Sequence, residues 1–383
     1  MVKLELNKYN RVRPMFKTLE YNLGVEAILS GKVQGYVYAD DMENPLTACI
    51  FDGVHNYFVG GNEKNQDFNE SLSKLITNDV IPKIKNEGKE VDYFFFYDDE
   101  SEWEKVLEFI LKDVYPGKTY RRYYNFTAGD SVVRHDLHEG FKLQKIDKEL
   151  MERTDLNNVE EIQQWTFTES WSGKEDFLKN GFGFCIIKDK DIVSWSMTDH
   201  VFGDKCEIGI ETDEDYRRKG MATGVVSACV EYCLSEGIHR IGWSCFDSNE
   251  ASYSLAEKVG FKMYKKYPVL FGWYNSYDNL FVQGDVSTKE GNFEKGAQLL
   301  EKALLLAEAD DDDFKRSRIS NRDSVCWAYF LAAKAHALSN NTGMCINRLK
   351  KAFELGLPNK DMLNDSAFDA LRDNEDFKQL QVR

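Results

Sequence analysis

Apolar positions along the first 126 residues switch between two periods, the mark of a segment that alternates helix and strand. Residues 16–29 repeat at helical spacing, whereas 33–39, 47–51 and 57–59 read as short strands around a turn at 40–45 and the pair Gly60-Gly61. A helix over 69–85, a buried strand over 91–97, a helix over 102–112 and a Tyr-rich strand over 119–126 follow. From 128 to 275 the same order returns with different residues. The pattern predicts a strand at 141–146, a helix at 156–167, and a hairpin of 183–188 with 192–199 across Asp189-Lys190-Asp191. It continues with a strand at 206–212, a helix at 220–236, a strand at 240–246, a helix at 250–259 and strands around 261–268. Two halves with one order of elements suggest a duplication.

Beyond about residue 280 the spacing is helical throughout. Gly291-Asn292-Phe293 precedes Ala297, Leu300, Ala303 and Leu304, and a second run holds Ala332, Ala335, Leu338, Leu349, Ala352 and Phe353. Small residues at close helix crossings resemble tetratricopeptide hairpins. Two such units fall short of the roughly three that make an independent solenoid, so this module is expected to lean on the domain before it. The reading is an α+β fold in three domains, 1–127, 128–278 and an all-helical 279–383.

Hydrophobic residues at 42% and charged residues at 30% are ordinary for a globular chain and give no reason to invoke disorder. The net charge of -16 argues against a nucleic-acid partner, which needs a concentrated basic face, and favours a cationic substrate or simple solubility. No apolar run approaches the roughly 18 residues of a membrane span, and residues 1–10 have no signal-peptide core, so a cytoplasmic location without membrane attachment is expected. The eight cysteines form no C-x-x-C pair, and Cys229 and Cys233 have no neighbouring His to complete a zinc set. Reduced core cysteines and no metal site are the expectation.

Candidate chemistry concentrates after the strand at 206–212. Asp213 to Tyr216 lead into Arg217-Arg218-Lys219-Gly220-Met221-Ala222-Thr223, a basic turn at the start of a helix. Glycine allows close backbone approach, and the first turn of a helix presents unpaired N–H groups at its positive end. The amides of Arg218 to Thr223 therefore form an anion cradle suited to a diphosphate. Each charge-assisted hydrogen bond there contributes on the order of 1.5–3 kcal/mol. A solvated helix start is the plain alternative.

This segment resembles the Gln/Arg-x-x-Gly-x-Gly/Ala coenzyme A signature of the GCN5-related N-acetyltransferases, matched by Arg217, Gly220 and Ala222. Downstream, Asn249-Glu250-Ala251-Ser252 and the helix ending in Gly260-Phe261 are similar to that family's second motif. The resemblance implies acetyl-CoA as cofactor and a mixed sheet splayed open between the strands at 206–212 and 240–246. Main-chain groups of Ile210, Glu211 and Thr212 would pair with the pantetheine arm, with Lys219, Met221, Asn249 and Ser252 also at the cofactor. Asn249 has a second reading as the N-cap of its helix.

Acetylating a lysine-like amine requires removing a proton from a group of pKa about 10.4, which costs roughly 4–5 kcal/mol at pH 7. The resemblance places a carboxylate base at Glu207, with Glu169 as the second candidate and a structural role as the alternative for either. The family often protonates the departing thiolate with a Tyr four residues before Gly260, where this chain has Ala256; Tyr253, nearly one turn earlier, is the substitute. The first half lacks an arginine cluster at its corresponding turn, Gly60-Gly61-Asn62-Glu63-Lys64, and is expected to wall the acceptor pocket, with Tyr36, Tyr38, Tyr93 and Tyr97 as aromatic candidates. The two-half layout is similar to the zwittermicin A resistance acetyltransferases. The leading expectation is an N-acetyltransferase acting on a primary amine of a small molecule. The alternative is a non-catalytic acyl-CoA-binding or regulatory module whose helical C-terminal domain recruits a protein partner.

Overall fold

The computed structural model describes residues 1–87, 93–98, 102–135, 137–167, 170–319 and 325–382. They form two compact units, each assembled from separate stretches of chain. The first comprises Met1–Leu72, Phe95–Leu107 and Lys118–Leu270; the second comprises Ser73–Phe94, Glu108–Gly117 and Phe271–Arg383.

Among the described residues twelve strands build one mixed sheet: β1 (Val2–Lys3), β2 (Tyr36–Ala39), β3 (Thr47–Phe51), β4 (Asn56–Gly61), β5 (Tyr93–Asp98), β6 (Gly117–Thr127), β7 (Phe141–Lys145), β8 (Gly183–Lys188), β9 (Asp191–Phe202), β10 (Lys205–Thr212), β11 (Arg240–Phe246) and β12 (Lys262–Trp273). Their spatial order is β1-β2-β3-β4-β5-β12-β6-β11-β10-β9-β8-β7. The antiparallel run β2-β3-β4 followed by β5 parallel to β4 recurs as β8-β9-β10 followed by β11 parallel to β10. The order of elements read from the sequence thus returns as an order of pairing. The last strand of each half is exchanged, since β6 lies beside β11 and β12 beside β5.

Sequence periodicity places the strands well and some helices less well. The predicted helix at 16–29 is instead the end of a 3-10 stretch, Arg13–Leu19, followed by the shorter helix Leu23–Leu29; an earlier 3-10 stretch, Leu6–Arg11, precedes both. Pro14 sits in the first turn of the second stretch, and its missing N–H suits a helix start better than a continuous helix. The predicted helix at 69–85 is interrupted by a π segment, Leu75–Val80. A further helix, Lys174–Asn180, lies between Gly173 and Gly181, too short for its period to stand out.

Helix Met221–Ser235 packs over β8, β9 and β10 in the first unit. Met221, Val225, Val226, Cys229, Val230 and Cys233 are buried on its inner face with Ile241, Trp243 and Ile208. Each fully buried apolar side chain of this size contributes about 1.5–3 kcal/mol. Helix Glu250–Val259 packs beside it, starts at Asn249, whose Oδ1 accepts from Ser252 N at 3.1 Å, and ends at Gly260.

Helices Ser276–Lys289, Phe293–Glu308, Val325–Leu338 and Thr342–Glu354 form two hairpins in the second unit. At the first crossing a Cβ on Gly284 would lie 2.7 Å from Leu300 Cγ, and one on Gly296 would lie 2.2 Å from Thr288 Oγ1. Small residues there permit the close approach. Glu301 joins His336 at 2.9 Å and Arg348 at 2.8 Å, tying three helices together. All eight cysteines are buried as free thiols, and no described helix is long and apolar enough to cross a membrane.

Candidate active site

Strands β10 and β11 stay paired for three residues only, Lys205↔Arg240, Cys206↔Ile241 and Glu207↔Gly242. Strand β10 meanwhile keeps its ladder to β9 through Thr212. The sheet therefore opens into a wedge immediately after Glu207, along the edge that carries Ile210, Glu211 and Thr212. Of these, Glu211 O accepts from Ser194 Oγ at 3.0 Å and Thr212 O from Arg217 Nε at 3.2 Å.

The basic turn stands at the mouth of the wedge. Arg218 and Gly220 have φ of 60° and 83°, so the chain reverses twice before helix Met221–Ser235 begins. Among the described residues the amides of Arg218, Lys219, Gly220, Met221, Ala222 and Thr223 meet no protein acceptor, and the helix has no side-chain cap. Arg217 is turned back onto Glu214 at 3.1 Å, and Lys219 Nζ donates to Asp215 O at 2.7 Å. Arg218 is exposed and makes no ion pair among the described residues. The sequence reading assigns Gly220 to close approach by a ligand. Here the space its side chain would fill is taken by His135, whose Nε2 would lie 1.9 Å from an added Cβ. Glycine is thus required by φ and by the imidazole, while the row of N–H groups stays unpaired. A diphosphate needs such a row, and the residues present fit it.

On the far side of β11, Asn249 caps its helix, and Ser252 Oγ accepts from Trp243 Nε1 at 3.0 Å. The Tyr253 ring lies under the Arg122 guanidinium, 3.9 Å from its centroid, and Arg122 also binds Asp247. Ala256 is fully buried in the core beneath the helix.

Glu207 occupies the last paired position of the wedge. Its Oε1 accepts from Tyr123 OH at 2.8 Å and from Leu23 N at 3.1 Å. Both donors come from the first half of the chain. A Cβ on Gly242 would lie 2.1 Å from Tyr123 OH and 2.9 Å from Glu207 Cγ, so this glycine makes room for the pair. Burial first, and then the Glu207 charge, push the Tyr123 phenol well above its ordinary pKa, which keeps it a donor. Tyr21 stands 5.1 Å from the Tyr123 ring and 5.2 Å from that of Tyr267, and Arg121 Nη2 donates to Ser244 Oγ at 3.0 Å. Of the expected wall tyrosines, Tyr97 joins this cluster, 6.2 Å from Tyr267, whereas Tyr36 stacks on Phe51 and Tyr93 packs near Phe271. Glu169 lies outside the described residues. Tyr123, Leu23 and His200, which faces Glu207 across the ladder, escape the sequence reading because no local pattern reports a partner from the other half.

A mixed sheet that opens between two parallel strands, with unpaired amides at its mouth and a carboxylate at its apex, defines an acyltransferase. The GNAT acetyltransferase family model matches residues 13–270, and the chain belongs to that family. It is 26% identical over 269 residues to the uncharacterized N-acetyltransferase YdfB of Bacillus subtilis (strain 168), covering 70% of this chain and 97% of that protein. A GCN5-related N-acetyltransferase-like protein from Streptococcus suis 89/1591 shares the fold, with TM-score 0.51 and 23% identity over 70% of this chain and 98% of the other. A GCN5-related N-acetyltransferase from Sphaerobacter thermophilus aligns with TM-score 0.48 and 9% identity over 71% and 95% of the two chains. The protein is an N-acetyltransferase, which disfavours the reading as a non-catalytic module.

Proposed function

We propose that the chain transfers an acetyl group from acetyl-CoA to a primary amine of a small molecule, with Glu207 as the base. The observation that carries this reading is the position of Glu207, at the last paired residue before the wedge opens, with Oε1 held by two donors and Oε2 without a protein partner among the described residues. Acetyl-CoA, when bound, supplies the activated thioester carbonyl. The amides of Arg218 to Thr223 and the Arg218 side chain hold its diphosphate, and the main chain of Ile210 to Thr212 lies along the wedge to align the arm. Tyr123 and the Leu23 amide fix one carboxylate oxygen so that the other meets the incoming ammonium. Desolvation near the buried tyrosines lowers the roughly 4–5 kcal/mol cost of deprotonation. Tyr253 is the proposed proton donor to the leaving sulfur; a thiol of pKa about 8.5 leaves as thiolate at a penalty of only about 2 kcal/mol, so this role is minor.

Similarity to the zwittermicin A resistance enzymes favours an aminopolyol-like acceptor. For the helical hairpins of the second unit, the close crossings at Gly284 and Gly296 support a tetratricopeptide-like module open to a protein partner. A cytoplasmic location follows from acetyl-CoA supply. The test is a panel of alkyl diamines, amino sugars, aminopolyols and amino-acid amides incubated with enzyme and acetyl-CoA. A mass increase of one acetyl group, absent without either component, is expected on at least one member, and none on any member would defeat the reading.

A further inference from the structure

Glu207 must lose each proton it takes before it can act again, and its two hydrogen-bond donors offer no way out. Tyr123 is 2% exposed, and the Leu23 amide is a fixed donor on a residue equally buried. The ladder supplies another neighbour. His200 of β9 is the registered partner of Glu207 in the antiparallel ladder, at the point where its register shifts between Glu207 and Ile208. Both meet the same turn, since Glu207 accepts from Leu23 N and His200 Nε2 lies 3.4 Å from a Cβ built on Gly24.

Beyond His200 there is space that leads outward. A cavity of about 30 Å³, room for one water molecule, is lined by His200 with Asn22, Asp52 and Asn56. A larger one of about 340 Å³ is lined by His200 with Lys32, Ser170, Asp176 and Asn180. Ser170 Oγ stands 3.5 Å from His200 Nε2. The groups that share these cavities or the ladder position with His200 are thus Glu207 from β10, Asp52 beside β3, Lys32 after helix Leu23–Leu29, and Ser170 and Asp176 from the segment before β8. Asp52 Oδ1 already accepts from the amides of Val54, His55 and Asn56 at 2.8, 2.8 and 3.0 Å, which anchors its loop.

We propose that His200 is the proton outlet of the active site, passing to solvent the proton that Glu207 removes from the acceptor ammonium. The inference rests on Glu207 being the base. The ammonium gives one proton to the Glu207 carboxylate and becomes a neutral amine, and the carboxylic acid passes that proton to neutral imidazole. The imidazolium releases it to water in the cavities. As the amine nitrogen forms its bond to the acetyl carbon, the carbon–sulfur bond breaks and a second nitrogen proton ends on the thiol. Acetyl-CoA and one ammonium thus give the amide, free thiol and one proton.

The experiment compares wild type, His200→Asn and Glu207→Gln, using the fastest acceptor in the amine panel. His200→Asn is expected to lower kcat about tenfold or more with KM for acetyl-CoA unchanged, and added imidazole should restore much of the loss in a saturable manner. The pH profile of kcat should change shape in the same variant. Undiminished kcat in His200→Asn, or a loss that imidazole does not relieve in a variant with wild-type melting temperature, would overturn the proposal. His200→Gln replaces His200→Asn should the latter melt early. Full activity in Glu207→Gln would instead remove the base itself, a result distinct from failure of the outlet alone.

Discussion

Gly220 joins the fold to the proposed cofactor cradle, and one methyl group tests both. At φ 83° an L-residue costs about 1–2 kcal/mol. The added Cβ of Gly220→Ala would also lie 1.9, 2.3 and 2.6 Å from three atoms of the His135 ring, so the ring must retreat by about 1.5 Å to reach ordinary contact at 3.4 Å. That movement disturbs the start of helix Met221–Ser235, where six amides stand unpaired. Losing two of the hydrogen bonds they would give a diphosphate, at about 1.5–3 kcal/mol each, weakens coenzyme A binding roughly 100-fold or more. The double variant Gly220→Ala, His135→Ala removes the clash and keeps the backbone strain, so it should recover stability to within about 1–2 kcal/mol of wild type, some 2–8 °C in melting temperature. Differential scanning fluorimetry and titration calorimetry with coenzyme A read the two effects separately. Wild-type melting and wild-type affinity in the single variant would refute both the packing argument and the cradle.

One further outcome concerns the carboxylate at the wedge and another the helices of the second unit. Gly242→Ala, whose Cβ would fall 2.1 Å from Tyr123 OH, should separate that phenol from Glu207 and cut kcat about 10²-fold or more while coenzyme A affinity stays near wild type in calorimetry. In the second unit, burial alone would raise the Glu301 carboxyl, but bonds from His336 and Arg348 outweigh it and hold the pKa down to about 2 from 4.5. A depressed folded pKa means the stabilisation is complete above pH 4.5 and is lost as pH falls toward 2. The shift corresponds to about 3 kcal/mol, reduced to roughly 1–2 for a partly solvated cluster. Glu301→Gln should therefore flatten the fall of melting temperature between pH 5 and 3, and an unchanged slope would count against the cluster.

The basic turn and its flanking elements are legible because their signals are local, whereas the opening between the strands at 206–212 and 240–246 enters only through the family resemblance. A cationic turn, a glycine at positive φ and an apolar helix face all lie within 15 residues or so of one another in sequence, and the strands at 47–51, 183–188 and 240–246 and the helix at 250–259 match the structure residue for residue. The neighbours of Glu207 were not legible. Alternation along β6 says which Tyr side chains share a face, but period 2 carries no information on which strand lies alongside. Tyr123 therefore read as part of the first half, whereas it reaches Glu207 across 84 residues of sequence, and Leu23 does so across 184. Helices broken by 3-10 and π turns were misread for a related reason, since those turns are imposed by packing that local propensity does not encode.

Strand exchange has a consequence for what can be cut away. Residues 128–278 contain the proposed coenzyme A motifs, yet β11 pairs along all seven residues with β6, from Arg240↔Thr127 to Phe246↔Arg121. Without residues 1–127 that ladder is lost, and β11 becomes an exposed edge with Ile241, Trp243 and Cys245 behind it. Glu207 would also lose both donors to Oε1, so water would replace the two groups that orient its carboxylate. A fragment of residues 128–278 is therefore expected to aggregate or to remain inactive with any amine that the full chain acetylates. A soluble fragment with full turnover, measured by acetyl-CoA consumption, would show that the first half contributes nothing to the acid–base face, and the placement of Tyr123 and Leu23 would then have no catalytic meaning.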